Sequence, residues 1–174
     1  MYLLYIAVLI VFVVILFSIS SRVKKAAKLA FESETIETDE FSIVKPEGFI
    51  NPINDESRFN FEAYSKDFGT GDAEALRQAH IFISVSTGKN FAEVCEETKK
   101  SAGKILMDGI SESDNSYLIK SEETTENAPA YNFYKIIESE RNQKAYELKI
   151  TILQDFLDDY QNRVDETLRS FRLK

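Results

Sequence analysis

The segment from Met1 to Ser20 carries no charged side chain, and Tyr2 to Phe17 is an unbroken apolar and aromatic run. At about 1.5 Å per residue, twenty helical residues cover roughly 30 Å, the hydrocarbon thickness of a bilayer. The segment is therefore read as a single transmembrane helix contacting lipid through residues 1–20. Tyr2 and Tyr5 suit the membrane–water interface at its outer end. Arg22, Lys24, Lys25 and Lys28 follow at its other end. By the positive-inside rule these four cations place everything after them in the cytoplasm, an extracytoplasmic domain being the alternative. Each can also meet anionic headgroups, at about 1 kcal/mol apiece. No basic residue precedes the apolar run, unlike a secretory signal, so it is read as retained. Ser18-Ile19-Ser20 is a weak match to a cleavage site.

Charge restricts what the rest can bind. With those four cations set aside, 17 basic residues face 29 acidic ones, so the remainder carries about −12. Nucleic acid is excluded as a partner, because phosphate binding needs a cationic face. One cysteine allows no internal disulfide. The organisation expected is an anchor and stalk over 1–31, an acidic linker over 32–40 and one domain over 41–174.

Within that domain, periodicity alternates between two and 3.6 residues. Phe41–Lys45 reads as a strand ended by a turn at Pro46-Glu47-Gly48-Phe49. Further strands are expected over 58–64, 80–87 and 117–124. Residues 130–139 and 144–153 form a hairpin, with Asn142 as the left-handed turn residue. Tyr146, Leu148, Ile150 and Ile152 alternate with Glu147, Lys149 and Thr151, so one face is buried and the other solvated. A short helical turn is expected over 72–78.

Two amphipathic helices complete the pattern. The first is capped by Asn90 and runs to about Met107, with Phe91, Val94, Cys95, Thr98, Ala102, Ile105 and Leu106 on its apolar face and Gly109 as its stop. The second spans about 155–173, with Phe156, Leu157, Tyr160, Val164, Leu168 and Phe171 inward. Its Asp155, Asp158 and Asp159 open the first turn, and Arg169, Arg172 and Lys174 close the last, complementing the helix dipole. The fold class is α+β: a transmembrane helix, then a largely antiparallel sheet packed with two amphipathic helices.

Catalytic signatures are sparse. His80 and Cys95 are each the only residue of their kind. Cys95 sits on an apolar helix face and reads as core, and His80 as a strand-end residue. Too few nitrogen and sulfur ligands exist for a zinc site. Gly69-Thr70-Gly71-Asp72 lacks the lysine and spacing of a phosphate loop. The acidic groups at 37–40, 122–126 and 155–159 match no calcium loop and read as solvated charge. No catalytic residue, cofactor or metal ligand is assigned. Tyr131 and Phe133 on one face of their strand, with Tyr134 and Ile136 on the other, imply core on both sides of the sheet.

The order of these motifs resembles PsbP-like domains. The strand followed by Pro46-Glu47-Gly48-Phe49 is similar to their opening "strand, P-x-G-aromatic". The strand over 80–87 leads into a helix beginning Asn90-Phe91-Ala92-Glu93. The hairpin carries Tyr131-x-Phe133-Tyr134 and Tyr146-x-Leu148-x-Ile150. The closing Leu168-Arg169-Ser170-Phe171 is similar to the terminal "S-F" helix of those domains. The resemblance covers about residues 41–173 and implies an α/β sandwich. The function expected is a membrane-anchored, non-enzymatic accessory or assembly subunit, its domain docked on an integral membrane protein complex. A small-ligand or lipid-binding domain, and an enzyme, are the alternatives.

Overall fold

A computed structural model describes residues 28–52, 58–126, 128–139 and 141–174. The expected span, with Tyr2, Tyr5, Arg22, Lys24 and Lys25, lies outside them. Lys28 is exposed within a helical stretch, residues 28–30. Among the described residues no helix is long and apolar enough to cross a membrane.

Among the described residues ten strands form two antiparallel sheets. The small sheet comprises β1 (Glu34–Glu37), β2 (Phe41–Lys45) and β10 (Arg172–Leu173), with β2 central. The large sheet has seven strands: β3 (Phe49–Ile50), β4 (Phe61–Ser65), β5 (Ala79–Thr87), β6 (Lys104–Ser111), β7 (Ser116–Thr125), β8 (Ala128–Ser139) and β9 (Lys144–Leu153). Their spatial order is β3-β4-β5-β9-β8-β7-β6. Helix α1 (Phe91–Ser101) covers part of one face, and α2 (Leu157–Ser170) part of the other. The class is α+β with a large antiparallel sheet, as expected.

The main core lies under α2. Tyr146, Leu148, Ile150 and Ile152 are each at most 1% exposed, as their alternation implied. They meet Ile81 and Ile83 of β5, Phe133 of β8, Tyr160 and Val164 of α2, and Phe41 and Ile43 of the small sheet. Burying each such side chain contributes about 1.5–3 kcal/mol. Phe171 is fully buried edge-on to Phe41, with ring centroids 5.9 Å apart. On the opposite face α1 sets Val94 and Cys95 on Ile136 and Ala145, while Ala102 meets Ile119 and Tyr134. Core therefore exists on both sides of β8.

Four local expectations are corrected. The stretch 32–40 is not irregular: Ile36 pairs with Ile43 in the β1–β2 ladder. Helix α1 ends at Ser101, not Met107, because Gly103 adopts φ +70. A Cβ on Gly103 would lie 2.6 Å from the Glu122 carbonyl oxygen. Residues 105–107 instead join β6 and pair with β7 through a bulge. In the 141–143 turn the left-handed residue is Gln143, with φ 52, rather than Asn142. The last helix begins after a 3-10 turn at Gln154–Phe156 and stops at Ser170. Arg172 pairs with Ser42 in a strand, so of the three expected basic residues only Arg169 is in the last helical turn. The Ser170 hydroxyl draws the chain onto β2 by accepting from Val44 N at 3.0 Å.

Two lysines are buried at junctions. Lys45, 1% exposed, donates to the carbonyls of Ala30 at 3.1 Å, Glu32 at 2.5 Å and Phe49 at 3.0 Å. Lys135, 2% exposed, donates to Leu168 O at 2.7 Å and Phe171 O at 3.1 Å, and pairs with Asp114 at 2.6 Å. It thereby satisfies carbonyls that the end of α2 leaves without helical partners.

Candidate functional site

Helix α1 covers only one end of its face of the sheet. At the other end β4, β5 and β9 present Glu62, Tyr64, His80, Phe82, Lys149 and Thr151 from an open floor. The 66–78 loop walls this floor with Leu76 and Arg77, leaving a groove of about 390 Å³. Strand alternation explains the assembly. Tyr64 pairs with His80, His80 with Thr151 and Phe82 with Lys149, so all share the face opposite the α2 core.

The groove's charges are held in place. His80 Nε2 lies 2.9 Å from Glu62 Oε1. A carboxylate only accepts, so Nε2 carries the hydrogen. Burial pulls the imidazole below its ordinary pKa, against the hydrogen bond and charge of Glu62. Lys149 pairs with Glu123 at 3.3 Å and lies 5.3 Å above the Tyr134 ring. Arg77 is clamped between rings, its Cζ 4.6 Å from the Tyr64 centroid and 3.9 Å from that of Phe68. Its Nη1 donates to Ser65 O and Lys66 O. Phe59 stacks on Phe82 with centroids 4.3 Å apart. An aromatic floor with fixed charges around it offers flat contact and oriented polar groups at small ordering cost.

Nucleophile and base are kept apart. Cys95 packs on Ala145, which pairs with Ser86, six residues along β5 from His80. At about 3.3 Å per residue that is roughly 20 Å. Burial pushes the Cys95 thiol up to about 11, the reverse of an activated thiol. Burial also raises the Glu147 carboxyl, which sits under α1 in contact with the Thr98 hydroxyl. Among the described residues no three His, Cys, Asp or Glu side chains gather as metal ligands.

A second surface lies at the far edge. Strand β6 is exposed on both sides, with Ile105 37%, Leu106 42%, Met107 57% and Ile110 64% accessible. Among the described residues only β7 pairs with it, so no described strand covers its outer backbone edge. Sequence reasoning missed this surface because it placed Ile105 and Leu106 on a helix face. It also passed over Arg77 and Lys149, although the outward phase of β9 marked Lys149.

Comparison with solved structures places this architecture. Yeast (Saccharomyces cerevisiae) Ran-binding protein Mog1p matches at 11% identity, over 82% of this chain and 96% of its own, with TM-score 0.54. LpqN of Mycobacterium tuberculosis, involved in cell envelope biogenesis, matches at 9% identity over 82% and 91%, with TM-score 0.55. Cyanobacterial PsbP (CyanoP) from Synechocystis matches at 10% identity over 82% and 92%, with TM-score 0.52. The chain has a PsbP/Mog1-like fold. No protein-family model matches the sequence, and no curated protein matches it significantly. At such identity the likeness concerns architecture alone, and function has to be argued from surfaces.

Proposed function

We propose that this chain is a membrane-anchored, non-catalytic accessory or assembly subunit. Its PsbP/Mog1-like domain docks on a larger integral membrane protein complex from the cytoplasmic side. Residues 1–20 hold it in the bilayer, with Arg22, Lys24, Lys25 and Lys28 at the inner surface. The observation that carries the docking is β6, a sheet edge bearing four exposed large apolar side chains in an otherwise acidic domain. Open edges of this kind are covered, charged or kept short unless a partner adds a strand. Tethering supplies effective concentration, so a modest edge contact suffices.

The test is co-purification in mild detergent after photo-crosslinking from position 107. The complex is expected to be captured by the intact chain and lost when residues 1–20 are deleted. Recovery of free monomer alone would overturn the reading. A cytosol-folding fluorescent reporter at the C-terminus is expected to light up, and alkaline phosphatase fused there to stay inactive. A second reading is favoured by the groove around Phe82, whose volume lies in the range of small-ligand sites. It predicts an apolar or aromatic ligand retained in native mass spectrometry.

A further inference from the structure

A cavity of about 510 Å³ is separate from both the groove and the outer edge of β6. It lies between the end of α2 and the β6–β7 connection, on the face that α2 leaves uncovered. We propose that it binds an oxyanion of the phosphomonoester class carrying a small apolar body.

Charge is the first argument. In a chain of net charge −8, this cavity is lined by three cations and one carboxylate. Lys135 and Asp114 cancel one another at 2.6 Å. Burial pushes the Asp114 carboxyl up, yet hydrogen bonds from Lys135, Ser116 and Ser111 outweigh it and hold the group at about 2. The Asp114 carboxyl therefore stays ionised at every physiological pH. Arg169 and Arg172 are left over, neither within ion-pair distance of a carboxylate among the described residues. Uncompensated guanidiniums beside a concave surface are the usual recognition elements for phosphate.

A helix C-terminus normally repels an anion, because its free carbonyls carry partial negative charge. Here Lys135 takes the carbonyls of Leu168 and Phe171. The buried lysine thus weakens the feature that would oppose an anion beside Arg169. Arg169 is itself positioned, its Nε–H donating to Asp165 O at 3.0 Å. Arg172 is fixed by the pairing of β10 with β2. Ser111 and Ser113 add hydroxyls 2.9 Å from each other at the rim. The cavity is several times larger than a phosphate group, and Leu118 and Leu168 line the remainder, which suits an apolar body.

The phosphate can arrive on a soluble metabolite or on a lipid headgroup, and one experiment separates these sources. The full-length chain is reconstituted in phosphatidylcholine nanodiscs, and its arginine Nε–Hε resonances are followed as phenyl phosphate is added. Saturable shifts of two resonances are expected, and weakening of roughly tenfold or more in Arg169→Gln/Arg172→Gln. The Arg169→Lys/Arg172→Lys variant is expected to recover part of the binding, since the charge returns without the fork. Both replaced side chains are exposed, so the unfolding temperature of either variant should match the parent. The same shifts in nanodiscs containing phosphatidic acid, without added phosphate, identify the headgroup as the source. Their absence there, with phenyl phosphate still binding, identifies a soluble ligand. No saturable shift under either condition, or equal affinity in the Gln variant, overturns the proposal.

Discussion

Replacing Lys45 by Met should loosen the attachment of the domain to the chain that precedes it. The ammonium has three protons and three carbonyl acceptors, on Ala30, Glu32 and Phe49. Methionine fills the same volume and donates nothing. The Phe49 carbonyl belongs to a buried residue and loses its donor outright, at about 1–3 kcal/mol. Ala30 and Glu32 are exposed, so their carbonyls rehydrate and cost about 0.5–1.5 kcal/mol each. Against this, the desolvation of an ammonium disappears. Burial lowers the Lys45 pKa, the Glu34 charge opposing, which shows that this penalty is present. The net loss is roughly 2–3 kcal/mol, a fall in unfolding temperature of about 5–10 °C for a domain of this size.

The loss should also be local. Gly48 N donates to Phe31 O at 2.8 Å, stitching the entry segment to the turn after β2. Hydrogen exchange at the Gly48 amide and along β1 should accelerate about 30-fold or more, since 1.4 kcal/mol is tenfold. Amides in β9 should change only by the global loss. An unfolding temperature within about 2 °C of the parent, with unaltered exchange at Gly48, would refute the clamp and the energetic reasoning together.

Asp114→Asn should destabilise by roughly 1 kcal/mol at neutral pH, the full shift being discounted because the side chain is 37% exposed. The carboxyl is held at about 2 when folded, below its ordinary value, so its contribution is complete above about pH 4. It is lost as pH falls through 2, and urea midpoints of parent and variant should converge there. Cys95, buried and pushed up to about 11, should alkylate at pH 8 at least about 100-fold more slowly in the native protein than in urea. Rates within a few-fold of one another would place the thiol at the surface. Gly103→Ala should cost roughly 2–3 kcal/mol, from a strained φ and a 2.6 Å clash. Gly109→Ala meets open space and should change urea stability by less than about 1 kcal/mol, so equal effects would restore Gly109 as the helix stop.

What could be read from residue order was the phase of the strands and the faces they bury. Alternation in 144–153 decided which side chains of β9 enter the core, because a period of two leaves no other choice. Asn90 marked the start of α1 as its cap, and the structure extends this to a capping box with Glu93, Glu93 N donating to Asn90 Oδ1 at 2.9 Å. The end of α1 was not legible. Ile105 and Leu106 continue its apolar stripe, and only the β7 edge, with its unmet backbone groups, competes for them. Gly103 was the local signal, since a left-handed glycine just past a helix stops it. The groove was illegible for a related reason. His80, Phe82 and Lys149 come together through strand pairing across nearly 70 residues of chain.

Partial coverage of the sheet links fold to function. Helix α1 is only 11 residues and α2 only 14, whereas the sheet is seven strands wide. At about 10 Å in diameter, a helix shields two or three strands at a spacing of roughly 4.8 Å. Even with the small sheet packed beside α2, each face keeps an uncovered part. Opposite α2 it is the aromatic groove, floored by Phe82 and edged by paired charges. Beside α2 it is the cavity with Arg169 and Arg172. The two differ because the end of α2 rests on the buried Lys135 of β8 and leads into Arg172 of β10, while α1 stands over Glu147 and Tyr134. A domain with one cysteine and one histidine, both set aside from the open surfaces or tied to a carboxylate, has these uncovered areas and the β6 edge for contact with other molecules.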